Sequence, residues 1–282
     1  MEKIMKGVFW GCAAISIVAV LFIGGFILFN ALPFFSHTSL WSFLTGKNWI
    51  PSGEIFGIYP MLVASFFATL GAVVIGVVVG ISTAIVITSI LPPAISSVIS
   101  KIVDLLAGIP SVIYGFFGLM VIVPIIKLTG APSGGLSLLA VIIILSFMIL
   151  PTIIRMTEVS LKAIPKEYKE GAYALGATRL QYIFKVQLRA AKSGIIAGVM
   201  LAIGRALGET MAVMLVAGNS PVVPNSILSS VRTVTANIAM EMSYAPAGPH
   251  QQALFATGLV LFIIIMAINI GMQLIVKRME RN

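Results

Sequence analysis

The chain has 282 residues, of which 59% are hydrophobic and only 10% charged, and it carries a formal charge of +9. An ordinary soluble domain holds about 25% charged residues, so this composition excludes a soluble fold and points to a lipid environment. The basic residues fall between apolar runs rather than along one stripe, which argues against nucleic acid as a partner; one cysteine and two histidines exclude a disulfide and a metal cluster built from them.

The first apolar run, Val8–Phe29, follows a basic start containing Lys3 and Lys6. It exceeds the roughly 7–15 residues of a signal core, so it reads as an uncleaved anchor and first span, with Cys12 inert within it. Residues 30–59 follow as an outer segment, whose Trp41, Trp49 and Tyr59 suit the membrane interface. The second run, Pro60–Leu91, carries Gly71, Gly76 and Gly80, small residues that permit close helix packing. The third, Ile102–Ile126, contains Gly108-Ile109-Pro110-Ser111, and Pro110 should kink it. Asp104 at its start reads as an interfacial carboxylate. Leu136–Ile154, Gly194–Ala217 and Ala253–Val276 complete the set. Between the last two, Pro221, Pro224, Pro246 and Pro249 break any further span, and Ser226–Ser243 has room for a short outer helix.

A helix of about 20 apolar residues spans a bilayer, and none of these runs alternates as a barrel strand would. The expected architecture is an all-α integral membrane protein of about six transmembrane helices. Residues 1–59 form an anchor and outer segment, and residues 60–282 a five-helix core with a loop at 157–193. Of the eighteen lysines and arginines, only Lys47, Lys127 and Arg232 fall on one side, and Arg205 lies inside a span. The positive-inside rule then places both termini in the cytoplasm of a multi-pass cell inner membrane protein.

The loop at 157–193 is the longest polar segment on the basic side. Pro165 marks a helix start and Gly176 a helix end or tight turn. A second amphipathic run, Leu180–Leu188, leads back to the membrane. Ala172, Ala174 and Gly176 give the first helix a slim face suited to a groove on another protein.

The spacing Glu170-Gly171-Ala172, three residues, Gly176, nine residues, Val186, one residue, Leu188 resembles the EAA loop of ABC-importer permeases. That pattern has Ala, Ile and a final Pro where this chain has Gly171, Val186 and Arg189. The resemblance implies the type I (MetI-like) permease bundle, in which this loop docks on a separate ATPase. The chain has no phosphate loop of its own. ATP and Mg would therefore be bound by that partner, with no cofactor here and no enzyme activity in this chain.

Arg205 sits near the middle of the fifth run, where an arginine costs roughly 2.5–3.5 kcal/mol to insert. Glu209 lies four residues on, the spacing of one helix face, and is expected to neutralise it. Two readings stand: an internal ion pair that fixes packing, or an anion station in which the guanidinium fork receives an oxyanion. Gly204 and Gly208 leave space beside it.

Three stretches, Gly108–Gly115, Arg205–Val213 and Arg232–Ala239, are similar to the PstC-type permease family of the phosphate ABC importer, over nearly the whole chain. The resemblance implies phosphate as substrate and Arg205 and Glu209 on its pathway. It also implies a PstA-type second permease, a PstB-type ATPase dimer and an external PstS-type phosphate-binding protein. A secondary carrier would favour more intramembrane carboxylates and has no use for the docking loop. A membrane enzyme would need a nucleophile, base or metal cluster that the sequence does not offer.

Overall fold

The computed structural model describes residues 2–281. In chain order the elements are α1 (Glu2–Phe35), α2 (Leu40–Thr45), β1 (Trp49–Ile50), β2 (Ile55–Phe56), α3 (Tyr59–Ile85), α4 (Pro93–Ala107), α5 (Ser111–Phe117), α6 (Val123–Lys127), α7 (Leu138–Lys162), α8 (Lys166–Ala174), α9 (Arg179–Gln181), α10 (Leu188–Ala190), α11 (Lys192–Gly208), α12 (Met211–Val216), α13 (Val234–Glu241) and α14 (Pro249–Arg281). Strands β1 and β2 form a single antiparallel hairpin, pairing Trp49 with Phe56.

Among the described residues, four helices are long and apolar enough to cross a bilayer: α1, α3 with its continuation to Ile90, α7 and α14. Two further crossings are bent. Helices α4 and α5–α6 meet at 95°, and α9–α10 meets α11 at 68°. The expected six spans are therefore present only if each bent pair counts as one.

The third apolar run is not a kinked rod. Pro110 lacks an amide, and Gly108 and Ile109 bond back to the end of α4, so the chain turns almost square at this point. Helix α4 ends up lateral to α5. It exposes Ile95, Val98, Ile102 and Leu105, spaced along one face, and buries Val103 on the other. Helix α11 bends away from α10 at Ala191, although Arg189 stands where the resembling family has proline.

The core forms where α3 lies against α7. A Cβ added at Gly71 would come within 2.7 Å of Ile142, at Gly76 within 2.8 Å of Ile149, and at Gly80 within 2.8 Å of Ile153. The three glycines therefore serve the close packing their spacing implied, letting branched side chains of α7 reach the α3 backbone. Ile144, Leu145, Met148, Ile149 and Ile153 are almost wholly buried. The first amides of α7 lack intrahelical partners. Ser137 caps the amide of Ala140, and a crossing loop supplies backbone carbonyls: Ser229 to Leu138 at 2.9 Å and Ile227 to Leu139 at 2.7 Å.

The N-terminal segment shares a second cluster with the core. Phe34, Phe43, Trp49, Phe56 and Ile58 bury against Met61, Val234, Leu254 and Ala256. Helix α1 meets α14 through Phe26, edge-on to Phe255 with centroids 5.8 Å apart, and buries Ala31 and Phe34 near its end, while its N-terminal half is bare, with Cys12 exposed. Trp41 stays exposed, but Trp49 is not an interfacial anchor. It is 5% exposed, and its indole N–H donates to Glu241 at 2.8 Å.

Candidate functional site

The stretch around Arg205 is built by a helix that stops inside the apolar layer. Helix α11 ends at Gly208, Glu209 is extended at φ −69 and ψ 133, and α12 begins at Met211. Gly208 is a poor helix former, and the groups freed by the break are taken up by side chains. The Thr210 hydroxyl donates to the Gly208 carbonyl at 3.2 Å, and that of Thr235 to the Glu209 carbonyl at 2.7 Å. Helix α13 is thereby tied to the break.

The expected i, i+4 pair does not form, because the two residues do not share one helix. The Glu209 carboxylate accepts the backbone amide of Ala212 at 3.1 Å, in the first turn of α12. Arg205 has no carboxylate within 4 Å among the described residues, and its guanidinium donates only to the Thr152 hydroxyl of α7, at 3.5 Å. Arg205 and Glu209 are both half-buried. An added Cβ at Gly204 or Gly208 would meet nothing within 4 Å, and Leu201 on the same side is 57% exposed. The arginine thus stands beside an open face of α11 with most of its donors free.

The loop at 157–193 is a helix, a turn and a second helical stretch. Pro165 caps α8 and presets its entry. At the other end Gly176 takes φ +78, its amide donates to Tyr173 and that of Ala177 to Ala172, a Schellman closure that favours glycine. Thr178 then opens α9 with a reciprocal capping box to Gln181. The chain passes through a π-helical stretch, Tyr182–Gln187, into α10.

The sequence pattern divides between two faces. Ala172, Val186 and Leu188 turn inward, against a buried cluster of Ile85, Leu161, Tyr182, Ile183 and Ile195. Glu170, Gly171 and Gly176 are exposed. The slim face of α8 is therefore not the whole outward surface, since Ala172 serves packing. What projects is apolar and was missed by sequence reasoning: Leu175 at 91% exposure, with Leu180 and Phe184 beyond it. A large apolar residue at a turn tip, flanked by others, marks a surface that a partner covers.

Two polar clusters also escaped sequence reasoning. On the side of the loop at 157–193, Arg155 of α7 pairs with Asp104 of α4 and with Glu158 at 2.6 Å. Glu158 is 1% exposed, and Lys162 and Ser100 complete its shell at 2.6 and 3.1 Å. Asp104 is thus the α4 half of a cross-helix bridge. The cluster borders an open cavity of about 520 Å³, lined by Ser96, Ser97, Lys101 and Lys162 among others. At the opposite end, Glu241 accepts from Trp49 and Arg232 and meets His250, each at 2.8 Å. Arg232 also donates to the carbonyl of Asn219, a residue held at φ 58. Burial and then the Glu241 carboxylate push the nearby Tyr244 phenol up. The members drawn from distant elements, Asp104 and Ser100 in the first cluster and Trp49 in the second, are what sequence spacing hid.

A bundle of long and broken apolar helices, with a capped helical hairpin projecting from one end, defines a membrane permease subunit. Residues 76–281 match the model of the binding-protein-dependent transport system inner membrane component, and the chain belongs to that family. It is 40% identical to the probable ABC transporter permease protein YqgH of Bacillus subtilis, over 89% of this chain and 83% of that one. It is 35% identical to the phosphate transport system permease protein PstC of Mesorhizobium japonicum, over 79% and 74%. With the probable PstC of Methanocaldococcus jannaschii it shares 32% identity over 91% and 88%. The fold is that of solved permeases. A bacterial alginate ABC transporter chain superposes with a TM-score of 0.67 at 14% identity, covering 96% of this chain and 94% of that one. A chain of the MetNI methionine transporter gives 0.60 at 20% identity, covering 77% and 93%.

Proposed function

We propose that the chain is a transmembrane permease subunit of an ATP-driven importer that carries inorganic phosphate inward from an external binding protein. The observation that carries this reading is Arg205, which stands within the apolar layer beside an open face and, among the described residues, without a carboxylate to neutralise it. An uncompensated guanidinium there is costly, and a tetrahedral oxyanion arriving along the open face offsets that cost with bidentate hydrogen bonds. Glu209 lies on the same pathway at the helix break. The relatives named as phosphate transport permeases support phosphate as that oxyanion.

The open face of α11 fits a second permease of PstA type, so that the path runs between two subunits. The apolar tip at Leu175 and the exposed Glu170, Gly171 and Gly176 fit a cleft on a PstB-type ATPase, which binds ATP and Mg. A PstS-type protein delivers phosphate to the opposite face. Both termini then lie in the cytoplasm with the coupling loop, and residues 1–59 form an anchor and outer segment that packs on the transport core at 60–282 through Phe34, Phe43, Trp49 and Phe56. ATPase closure moves the loop and tilts the spans between outward-facing and inward-facing states.

The deciding experiment is phosphate uptake by the complex reconstituted in liposomes, with Arg205→Ala beside the unmodified chain. Uptake is expected to fall by about a hundredfold or more, since a lost charge-assisted contact is worth several kcal/mol. Near-normal uptake would sink the anion-station reading.

A further inference from the structure

The coupling loop is continuous in sequence with α7 on one side and, through α10, with α11 on the other. Its third attachment, to α3, is made entirely by side chains. Helix α3 continues as a π-helical turn, Val86–Ile90, and stops at Leu91 before Pro92 and Pro93. In a continuing helix the carbonyls of Thr88 and Ser89 would receive the amides of residues 92 and 93. Both are prolines and have none to give. The Ser89 carbonyl is left at a helix end with no backbone donor, and Arg179 of α9 fills the gap. One of its terminal nitrogens donates to the Ser89 carbonyl and, at 3.3 Å, to that of Ile90. Beside it, the Ser89 hydroxyl donates to Oε1 of the buried Gln187 at 2.9 Å. Tyr173 of α8 and Tyr182, edge to face at 5.8 Å, line the same cavity under α8 with Lys169, Arg179 and Gln187.

We propose that Arg179 and Gln187 are positioning residues that join the coupling loop to the end of α3, so that a displacement of α8 is delivered to α3 and α7 together. The glycine contacts make the second half of the argument. Since α3 and α7 touch backbone to side chain at Gly71, Gly76 and Gly80, they resist sliding and move as one body once both ends are held. Without the clamp, α8 would reach α3 only through the apolar contacts around Ile85, and the carbonyl end of the helix beyond it would hang on its prolines. The inference rests on the reading of the loop as an ATPase-docking element, and it adds which span the stroke must reach.

The test uses the full complex with its ATPase and second permease, in a Cys12→Ser background with Leu91→Cys carrying a spin label. Phosphate uptake and ATP hydrolysis are measured on the same proteoliposomes. Arg179→Ala is expected to lower uptake per ATP hydrolysed about tenfold while hydrolysis stays within twofold. The label at position 91 should change mobility on addition of ATP and vanadate in the parent and not in Arg179→Ala. Arg179→Lys should restore part of the coupling, since an ammonium still donates to a carbonyl. If Arg179→Ala does not assemble, Gln187→Leu carries the same expectation at a smaller size, because it removes only the Ser89 bond. Parallel loss of hydrolysis and uptake would overturn the proposal and place Arg179 on the ATPase surface. Unchanged uptake per ATP would overturn it as well. A loop that does not dock at all is read separately, from failure of Leu175→Cys to crosslink to the ATPase.

Discussion

The carboxylate of Glu209 accepts the backbone amide of Ala212 at 3.1 Å, and so belongs to the helix that follows it rather than to the one that carries Arg205. A side-chain acceptor at a helix start is worth about 0.5–2 kcal/mol. Glu209→Ala should lower the melting temperature of the purified subunit accordingly. Glu209→Gln keeps an oxygen in place and should melt close to the parent. Uptake is expected to fall roughly tenfold in both variants, because the charge as well as the cap serves the pathway. A fall confined to the alanine variant would assign Glu209 to the helix break alone.

Gly76 faces Ile149 across the α3–α7 contact, with no room for a Cβ. Overpacking of a close contact costs about 1–3 kcal/mol. Gly76→Ala should show a loss of this size in thermal unfolding in detergent. Gly76→Leu should prevent recovery of the complex by size-exclusion chromatography. Gly171→Ala is the control: it lies open within α8 and should show no such loss, since alanine is the better helix former.

Arg155 holds two carboxylates of unequal burial. Arg155→Ala leaves the buried Glu158 with only Lys162 and Ser100, and should cost about 1–3 kcal/mol. Asp104→Asn touches a side chain that is 54% exposed, and should cost less than about 1 kcal/mol. Equal losses in chemical denaturation would contradict the unequal weighting of the two bridges.

Leu175 and Ala172 lie three residues apart but on different surfaces. A thiol at Leu175→Cys should react quickly with a water-soluble maleimide in the isolated subunit and be protected in the full complex. Ala172→Cys should react slowly in both, since that position packs against Ile183 and its neighbours.

The spans were legible because long apolar runs such as Leu136–Ile154 leave few alternatives, and the ends of α8 were legible because Pro165 and Gly176 act locally. The square turn at Pro110 was visible as a kink but not in its size, which depends on how α4 packs on α7. The break at Glu209 carried no proline to announce it. Its cost is met by Thr210 and by Thr235, the latter 26 residues away. Trp49 was misplaced for a similar reason: its partner Glu241 is 192 residues distant, and a tryptophan before a span resembles an interfacial anchor until that partner is known. Asp104 and Arg155, 51 residues apart, were each read singly.

Cys12 is the sole thiol in the chain, and it sits on the bare flank of α1, where helix packing leaves it uncovered. The unaltered protein therefore carries its own depth gauge. A paramagnetic or fluorescent tag at that one sulfur reports how far α1 sinks into lipid, with no engineered cysteine elsewhere. Any subunit that later covers the flank announces itself by shielding the tag from quenchers dissolved in the acyl chains.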